Sequence, residues 1–315
     1  MNNSAILISG ITGFVGSNLK EYLEKKEYKR IIGISRQENF KDKIISYKDC
    51  NMDVFNDSKV FIHLAGKAHD LKKVSSESDY YNVNTDLAIS LFNQFLKSDC
   101  EIFIFLSTVK AVADKVEGTL DELVIPNPQT VYGKSKLKAE EYIKSQKLLK
   151  DKKVYILRPC MIHGPNNKGN LNLLYKIINK KVPFPLGRFK NSRSFLSIEN
   201  LCFVITKLIE KKPNSGVYNV ADDIAISTNE LVRIIGDTIN KKAMILNIAK
   251  PLISFFAKIG TVVSLPLNTE KLDKLTESYI VSNLKLKKAI KEELPLTSRE
   301  GIKQTILSLS SKKQL

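Results

Sequence analysis

What this chain of 315 residues lacks narrows its chemistry before any motif is considered. Cysteine is scarce and scattered: Cys50, Cys100, Cys160 and Cys202 form no CxxC pair, and no His stands beside them at zinc-like spacing. That excludes a disulfide framework, suggests no metal site, and leaves four small apolar residues for the interior. The amino terminus runs into an apolar strand without the basic, apolar and small-residue order of an export signal, so a cytoplasmic location is expected. The formal net charge is +17, yet no Arg-rich stripe or aromatic-interleaved basic patch stands out. Lysines instead mix with Glu along helical stretches such as 21–26 and 136–141, the pattern of a solvated face. Nucleic acid is therefore not an expected partner, although a positive field would recruit doubly charged phosphorylated small molecules. No long uncharged apolar run exists. The most apolar stretch, 245–267, is interrupted by Lys250 and Lys258 and punctuated by Pro251 and Pro266. It falls short of the about 20 residues of a membrane span and reads as a core or partner-facing amphipathic helix. Peripheral membrane attachment is the lesser reading, and no membrane partner is expected.

Glycine is sparse too, with 14 in the chain, so three of them at Gly10, Gly13 and Gly16 carry weight. They follow the apolar run Ala5-Ile6-Leu7-Ile8 and precede a stretch, 17–24, with apolar residues at helical spacing. A strand, a glycine turn and a helix start make a dinucleotide cradle. Gly10 allows the tight bend, Gly13 a close approach of backbone to pyrophosphate, and Gly16 close packing of helix on strand. The helix start directs unpaired amides and a positive dipole end at the phosphates.

Further apolar runs at 30–34, 60–65, 102–106 and 154–157 alternate with candidate helices near 82–98 and 134–149. Strands this apolar are covered on both faces, which indicates a doubly wound parallel α/β sheet. After residue 165 the pattern is less regular: a helix from Leu171, a loop with Pro183 and Pro185, a short strand at 217–220, then mostly helices. We expect a dinucleotide-binding domain over 1–165 and a smaller, mostly helical substrate-binding part over 166–315, with some elements returning to the first. With 43% hydrophobic residues, the chain can build the core this requires.

Tyr132 and Lys136 stand four apart, on one face of a helix. A nearby ammonium favours the phenolate, so Tyr132 could take a proton from a sugar hydroxyl while hydride leaves the same carbon. Spacing alone is weak, since Tyr22 and Lys26 repeat it on what reads as a surface helix. Context separates the pairs. Tyr132 follows a loop with Pro126 and Pro128, and comes after Ser107-Thr108 at the end of an apolar strand, where a hydroxyl could bond the reacting oxygen.

These features, with His63-Leu64-Ala65-Gly66, Asn82-Val83, Leu157-Arg158-Pro159, Gly164-Pro165 and Val217-Tyr218-Asn219-Val220, resemble the extended short-chain dehydrogenase/reductases that act on nucleotide sugars. The resemblance spans nearly the whole chain and implies a Rossmann fold binding NAD or NADP. It implies that Tyr132 is the catalytic acid/base, Lys136 its modulator, and Thr108 the hydroxyl partner. Gly10, Thr12, Gly13, Phe14, Val15, Gly16, Ser35, Arg36, Leu64, Ala65, Gly66, Lys67, Ser107, Tyr132, Lys136 and Pro159 would contact the cofactor, with Asn82 orienting the helix beside it. Thr108, Lys110, Asn170, Arg193 and Arg158 would face the nucleotide-sugar substrate, Arg by bidentate contact with phosphate. A homodimer is implied by resemblance only.

The chain departs from the family in places. Ser35-Arg36 replaces the acidic residue that commonly grips the adenosine ribose, which suits a 2'-phosphate and so NADP. The stretch 45–60 is short for a strand and a helix, leaving Asp49 and Asp53 as competing adenine-side residues, and Val131 stands where Pro is frequent. Val109-Lys110 replaces the Asp-Glu pair of 4,6-dehydratases and argues against dehydration. The whole-chain resemblance implies a UDP-hexose 4-epimerase first, while Arg36 and the Ser-Thr-Val-Lys stretch 107–110 resemble the alternative, an NADPH-dependent 4-ketoreductase of a UDP- or dTDP-4-keto-6-deoxy sugar. A non-catalytic nucleotide-binding protein is the third reading, disfavoured because Tyr132 and Lys136 are both retained.

Overall fold

A computed structural model describes residues 5–37, 39, 43–68, 76–149, 151–167, 170–262 and 268–311. Seven strands form one parallel sheet: β1 (Ala5–Ser9), β2 (Ile31–Ser35), β3 (Ile44–Ser46), β4 (Ser58–His63), β5 (Ile102–Leu106), β7 (Lys153–Pro159) and β10 (Gly216–Val220). Their spatial order is β3-β2-β1-β4-β5-β7-β10, so the chain reverses direction between β1 and β4. A crevice opens there beyond the carboxyl ends of the strands, where ligands bind in doubly wound sheets.

Alternation of side chains explains the two covers. Ile6 and Ile8 of β1, Val60 and Ile62 of β4, and Ile102 and Ile104 of β5 face one core, which α1 (Phe14–Lys25) and α7 (Ile198–Lys211) close with Leu19, Leu23, Leu201, Ile205 and Leu208. Leu7, Phe61, Phe103 and Phe105 face the other way, against Phe92 and Phe95 of α4 (Leu87–Lys97) and Ile143 of α5 (Val131–Ser145). The Phe92 and Phe103 rings lie 4.9 Å apart. Truncating one such ring to Ala typically costs about 3–5 kcal/mol.

Two regions differ from the simple alternation. The chain after β2 makes only a three-residue β3 and the five-residue α2 (Met52–Asn56), in line with how short that stretch is. The helix expected near 82–98 begins earlier, with α3 (Glu77–Tyr81), and is broken by a π-helical turn, Asn82–Asp86, before α4. An extra residue in that turn rotates the side chains that follow, and such turns gather at functional sites.

The remaining elements are β6 (Thr119–Leu120), β8 (Met161–His163), α6 (Asn170–Asn179), β9 (Phe195–Ser197), α8 (Thr228–Thr238), α9 (Lys250–Val262), α10 (Thr269–Thr276), β11 (Ile280–Val281), α11 (Leu284–Ile290) and α12 (Ser298–Ser311). Two small parallel pairs, β6 with β11 and β8 with β9, tie the later part to the sheet's rim. A separate apolar core of α6, α8, α9, α12 and the 184–186 segment fills that later lobe. Among the described residues no helix is long and apolar enough to cross a membrane.

Candidate active site

The glycine turn lies at the crevice. Gly10 has φ +71°, in the left-handed region, and a Cβ there would sit 2.7 Å from the Ala65 backbone nitrogen. A Cβ on Gly16 would come within 2.3 Å of the Gly10 carbonyl oxygen, which packs helix against turn, and one on Gly13 would meet that same oxygen at 3.2 Å. Helix α1 starts from Gly13 with no side-chain cap and no acid in its first turn. By contrast, α2, α3, α5, α7 and α8 are capped by Asn51, Ser76, Thr130, Ser197 and Ser227. The free amides of α1, walled by backbone that no side chain can fill, fit the diphosphate of a dinucleotide. Thr12 is exposed beside them, and Phe14 and Val15 are half-buried.

The end of β4 supplies the opposite wall. Leu64 donates its amide to Ser9, Ala65 is buried, and Lys67 directs its ammonium to Asp79 at 3.1 Å. Orientation of this wall falls to Asn84 rather than Asn82. Asn82 is exposed, whereas Asn84 is fully buried in the π-helical turn. Its amide group accepts from the Lys67 nitrogen at 2.8 Å and donates to the Lys67 oxygen at 3.1 Å and to Ser135 Oγ at 3.0 Å. Two residues apart on a helix are on different faces, so only one of the two asparagines can point inward.

Thr108 follows β5 and is buried, with its hydroxyl near enough to Tyr132 to favour the ionised phenol. Gly133 makes this possible, since a Cβ there would lie 2.3 Å from the Lys110 carbonyl oxygen. Thr130 caps α5 by accepting from the Gly133 amide, and Asp114 in turn accepts from the Thr130 amide. Burial raises the Tyr132 phenol above its usual pKa, and the Thr108 hydroxyl pulls it down. Lys136 does not depress it as the spacing suggests. Its ammonium donates to the Leu106 carbonyl at 2.9 Å, stands 4.7 Å from the Phe105 ring centroid, and is itself lowered to about 8 by burial. Beside it, His63 is buried with its pKa lowered to about 3, so its ring is neutral and bonded to Ser9 Oγ at 2.7 Å. The other pair, Tyr22 and Lys26, stacks at the far end of α1, away from the crevice.

Two expected contacts are engaged elsewhere. Arg158 is buried and donates Nε to both carboxylate oxygens of the fully buried Glu140, at 3.0 and 3.1 Å, so it braces β7 against α5 rather than facing substrate. Ser107 gives its hydroxyl to the same carboxylate. The charge of Glu140 claims both donors. Ser35 ends β2 with Arg36 exposed after it; burial pushes the Tyr47 phenol up, opposed by the Gly10 backbone and by the Arg36 charge. Asp49 accepts from Ser46 at the end of β3, and Asp53 sits in the first turn of α2. Pro159 closes β7 and is buried opposite Val220.

Across the crevice, Lys110 donates to the Asp114 carbonyl at 2.7 Å and stands 4.5 Å from the Tyr279 ring centroid. Arg193, paired with the Tyr279 backbone, is desolvated enough to lower its pKa, opposed by Glu277, Cys160 and Tyr279. Tyr279, a residue that no motif singles out, thus joins Lys110 to Arg193, with its hydroxyl on the Val109 and Ala113 carbonyls just after Thr108. Asn170 opens α6, and its side chain lies outside the described residues.

A model of the NAD dependent epimerase/dehydratase family matches residues 6–221. A UDP-glucose 4-epimerase of Vibrio cholerae is 29% identical over 317 residues, covering 96% of this chain and 94% of that protein. An N-acetyl-alpha-D-glucosaminyl-diphospho-ditrans,octacis-undecaprenol 4-epimerase of Escherichia coli O157:H7 is 29% identical over 307 residues, covering 91% and 86%. The solved UDP-N-acetylglucosamine 4-epimerase of Bacillus cereus superposes with a TM-score of 0.76 at 18% identity, over 97% of this chain and 99% of that one.

Proposed function

The chain belongs to the NAD-dependent epimerase/dehydratase family and is an NAD(P)-dependent enzyme of the extended short-chain dehydrogenase type; from that premise we propose that it inverts C4 of a UDP-hexose in the cytoplasm. The observation that carries the reading is the placement of Tyr132 beside the Thr108 hydroxyl after β5, on the helix that carries Lys136, at the crevice that the glycine turn opens.

The free amides of α1, with Ala65, Gly66 and the Asn84-braced Lys67 backbone, hold the dinucleotide. Bound nicotinamide supplies the chemistry of removing and returning a hydride at a sugar carbon. The ionised form of Tyr132 takes the proton of the C4 hydroxyl, becoming the phenol, and gives it back to the keto oxygen, with Thr108 positioned to share that proton. Lys136, with a pKa near 8, is mostly cationic at neutral pH and reaches the Gly66 wall of the crevice, so it would serve to hold the cofactor rather than to lower the phenol's pKa. Lys110 and Arg193 hold the diphosphate on the far side.

A second reading, reduction of a 4-keto sugar by NADPH, draws on Arg36, which suits a 2'-phosphate, and on a Tyr132 whose raised pKa keeps the proton ready to donate. Denaturing the purified protein and identifying released dinucleotide separates the two. Retained NAD with interconversion of UDP-glucose and UDP-galactose, or of their N-acetyl forms, supports epimerisation; an empty protein that consumes NADPH with a 4-keto sugar supports reduction. Tyr132→Phe should lower either turnover by about 100-fold to 10,000-fold. Full activity in that variant refutes the site.

A further inference from the structure

Helix α9 has two apolar sides, and among the described residues only one meets the rest of the protein. Ile253 and Ala257 are buried among Phe184, Leu186 and Leu272. Leu252, Phe255, Phe256 and Ile259 are 49%, 58%, 54% and 40% exposed, at positions i, i+3, i+4 and i+7 of the same helix. That spacing puts all four on a single stripe about 100° wide. Met244 and Leu246, at 57% and 38%, extend the face along the segment whose backbone pairs with Phe184 and Gly187. Single exposed apolar residues are ordinary; a contiguous face of this kind marks an interaction surface.

The two stretches that flank the face are cationic, while α10, packed on α9, carries Glu270 and Asp273 balanced by Lys271 and Lys274. Residues 170–198 carry six Lys or Arg and residues 240–269 carry four, with no Asp or Glu in either stretch. Arg188, Lys190, Lys250 and Lys258 are exposed around the apolar stripe. Together these two stretches account for ten of the chain's net +17 charges.

We propose that this face docks on an anionic phospholipid surface, with α9 lying in the plane of the interface, its four apolar side chains below the headgroups and the flanking cations on the phosphates. At 13 residues α9 is about 20 Å long, too short to cross a hydrocarbon core of about 30 Å, as an in-plane helix should be. The charge selects lipid over a second copy of the chain, because two such faces would oppose cation to cation. Arg193 lies on the same 184–193 segment as Arg188 and Lys190, so docking would bring the substrate side of the crevice toward the membrane. The inference stands apart from the reaction proposed above.

Sedimentation of the full chain with vesicles tests it. Vesicles of equal parts phosphatidylglycerol and phosphatidylcholine should carry the protein down, vesicles of phosphatidylcholine alone should not, and added salt should release it. Phe255→Ser with Phe256→Ser should lower partition by roughly tenfold or more with unchanged circular dichroism. Lys250→Glu with Lys258→Glu, which spares the apolar stripe, should lower it by roughly tenfold on anionic vesicles. Failure of the native chain to bind anionic vesicles, or equal binding to both kinds, overturns the proposal. So does a dimer by light scattering that the two Phe replacements dissociate while no vesicle binding is seen.

Discussion

Arg158→Met tests most sharply what the buried charges are for. Arg158 has 3% of its side chain exposed and Glu140 none, so the variant leaves a carboxylate in the interior with only the Ser107 hydroxyl to bond. Breaking one side of a buried pair costs about 3–5 kcal/mol, whereas replacing both sides with apolar groups of similar volume is often neutral. The double variant Arg158→Met/Glu140→Leu should therefore recover most of what the single one loses. Urea unfolding measures both, read as a shift of midpoint at constant slope. The double variant should also keep the KM of the parent for nucleotide sugar. A stable double variant with KM raised tenfold would place the guanidinium on the substrate and refute the bracing role.

Asn84→Ala should destabilise by about 1–3 kcal/mol and weaken dinucleotide binding, because it leaves the Lys67 backbone and Ser135 without their partner. Asn82→Ala, at an exposed position, should change stability by no more than about 0.5 kcal/mol. Thermal unfolding and dinucleotide titration distinguish them, and equal effects would contradict the placement. Lys136 provides a pH signature. With its pKa lowered from 10.5 to about 8, the unfolded chain holds the extra proton between those values, so stability rises with pH across the window. At about 1.4 kcal/mol per unit the gain is about 3 kcal/mol, and Lys136→Met should lose it; a variant with the parent's slope would show that the ammonium is not desolvated.

The parts of the molecule written in short range are legible in its sequence. Strand β1, the glycine turn and α1 form one uninterrupted local pattern, and the apolar alternation through residue 157 yields the parallel sheet. What stays hidden depends on which side of an element meets its neighbour. Asn82 and Asn84 look equivalent as letters, and the π-helical turn decides between them. Arg158 carries the charge expected of a phosphate ligand, but Glu140, eighteen positions earlier, captures it across the core. The spacing of Tyr132 and Lys136 is readable, while the pKa changes come from burial, which spacing does not encode. Tyr279 reaches the crevice only because β11 pairs with β6. For α9 the amphipathic pattern is plain, yet composition does not tell which apolar side the core will take.

Strand β10 joins the sheet late. The chain leaves at Pro159, builds β8 and β9, lays α7 across α1, and only then returns to align Gly216, Tyr218 and Val220 with Tyr155, Leu157 and Pro159. A gene severed near codon 165 would thus yield an amino-terminal fragment with an open sheet margin and with Leu19 and Leu23 stripped of their lid. Each fragment would be expected to aggregate if made by itself, and activity to return only when both are produced together and can knit the margin closed.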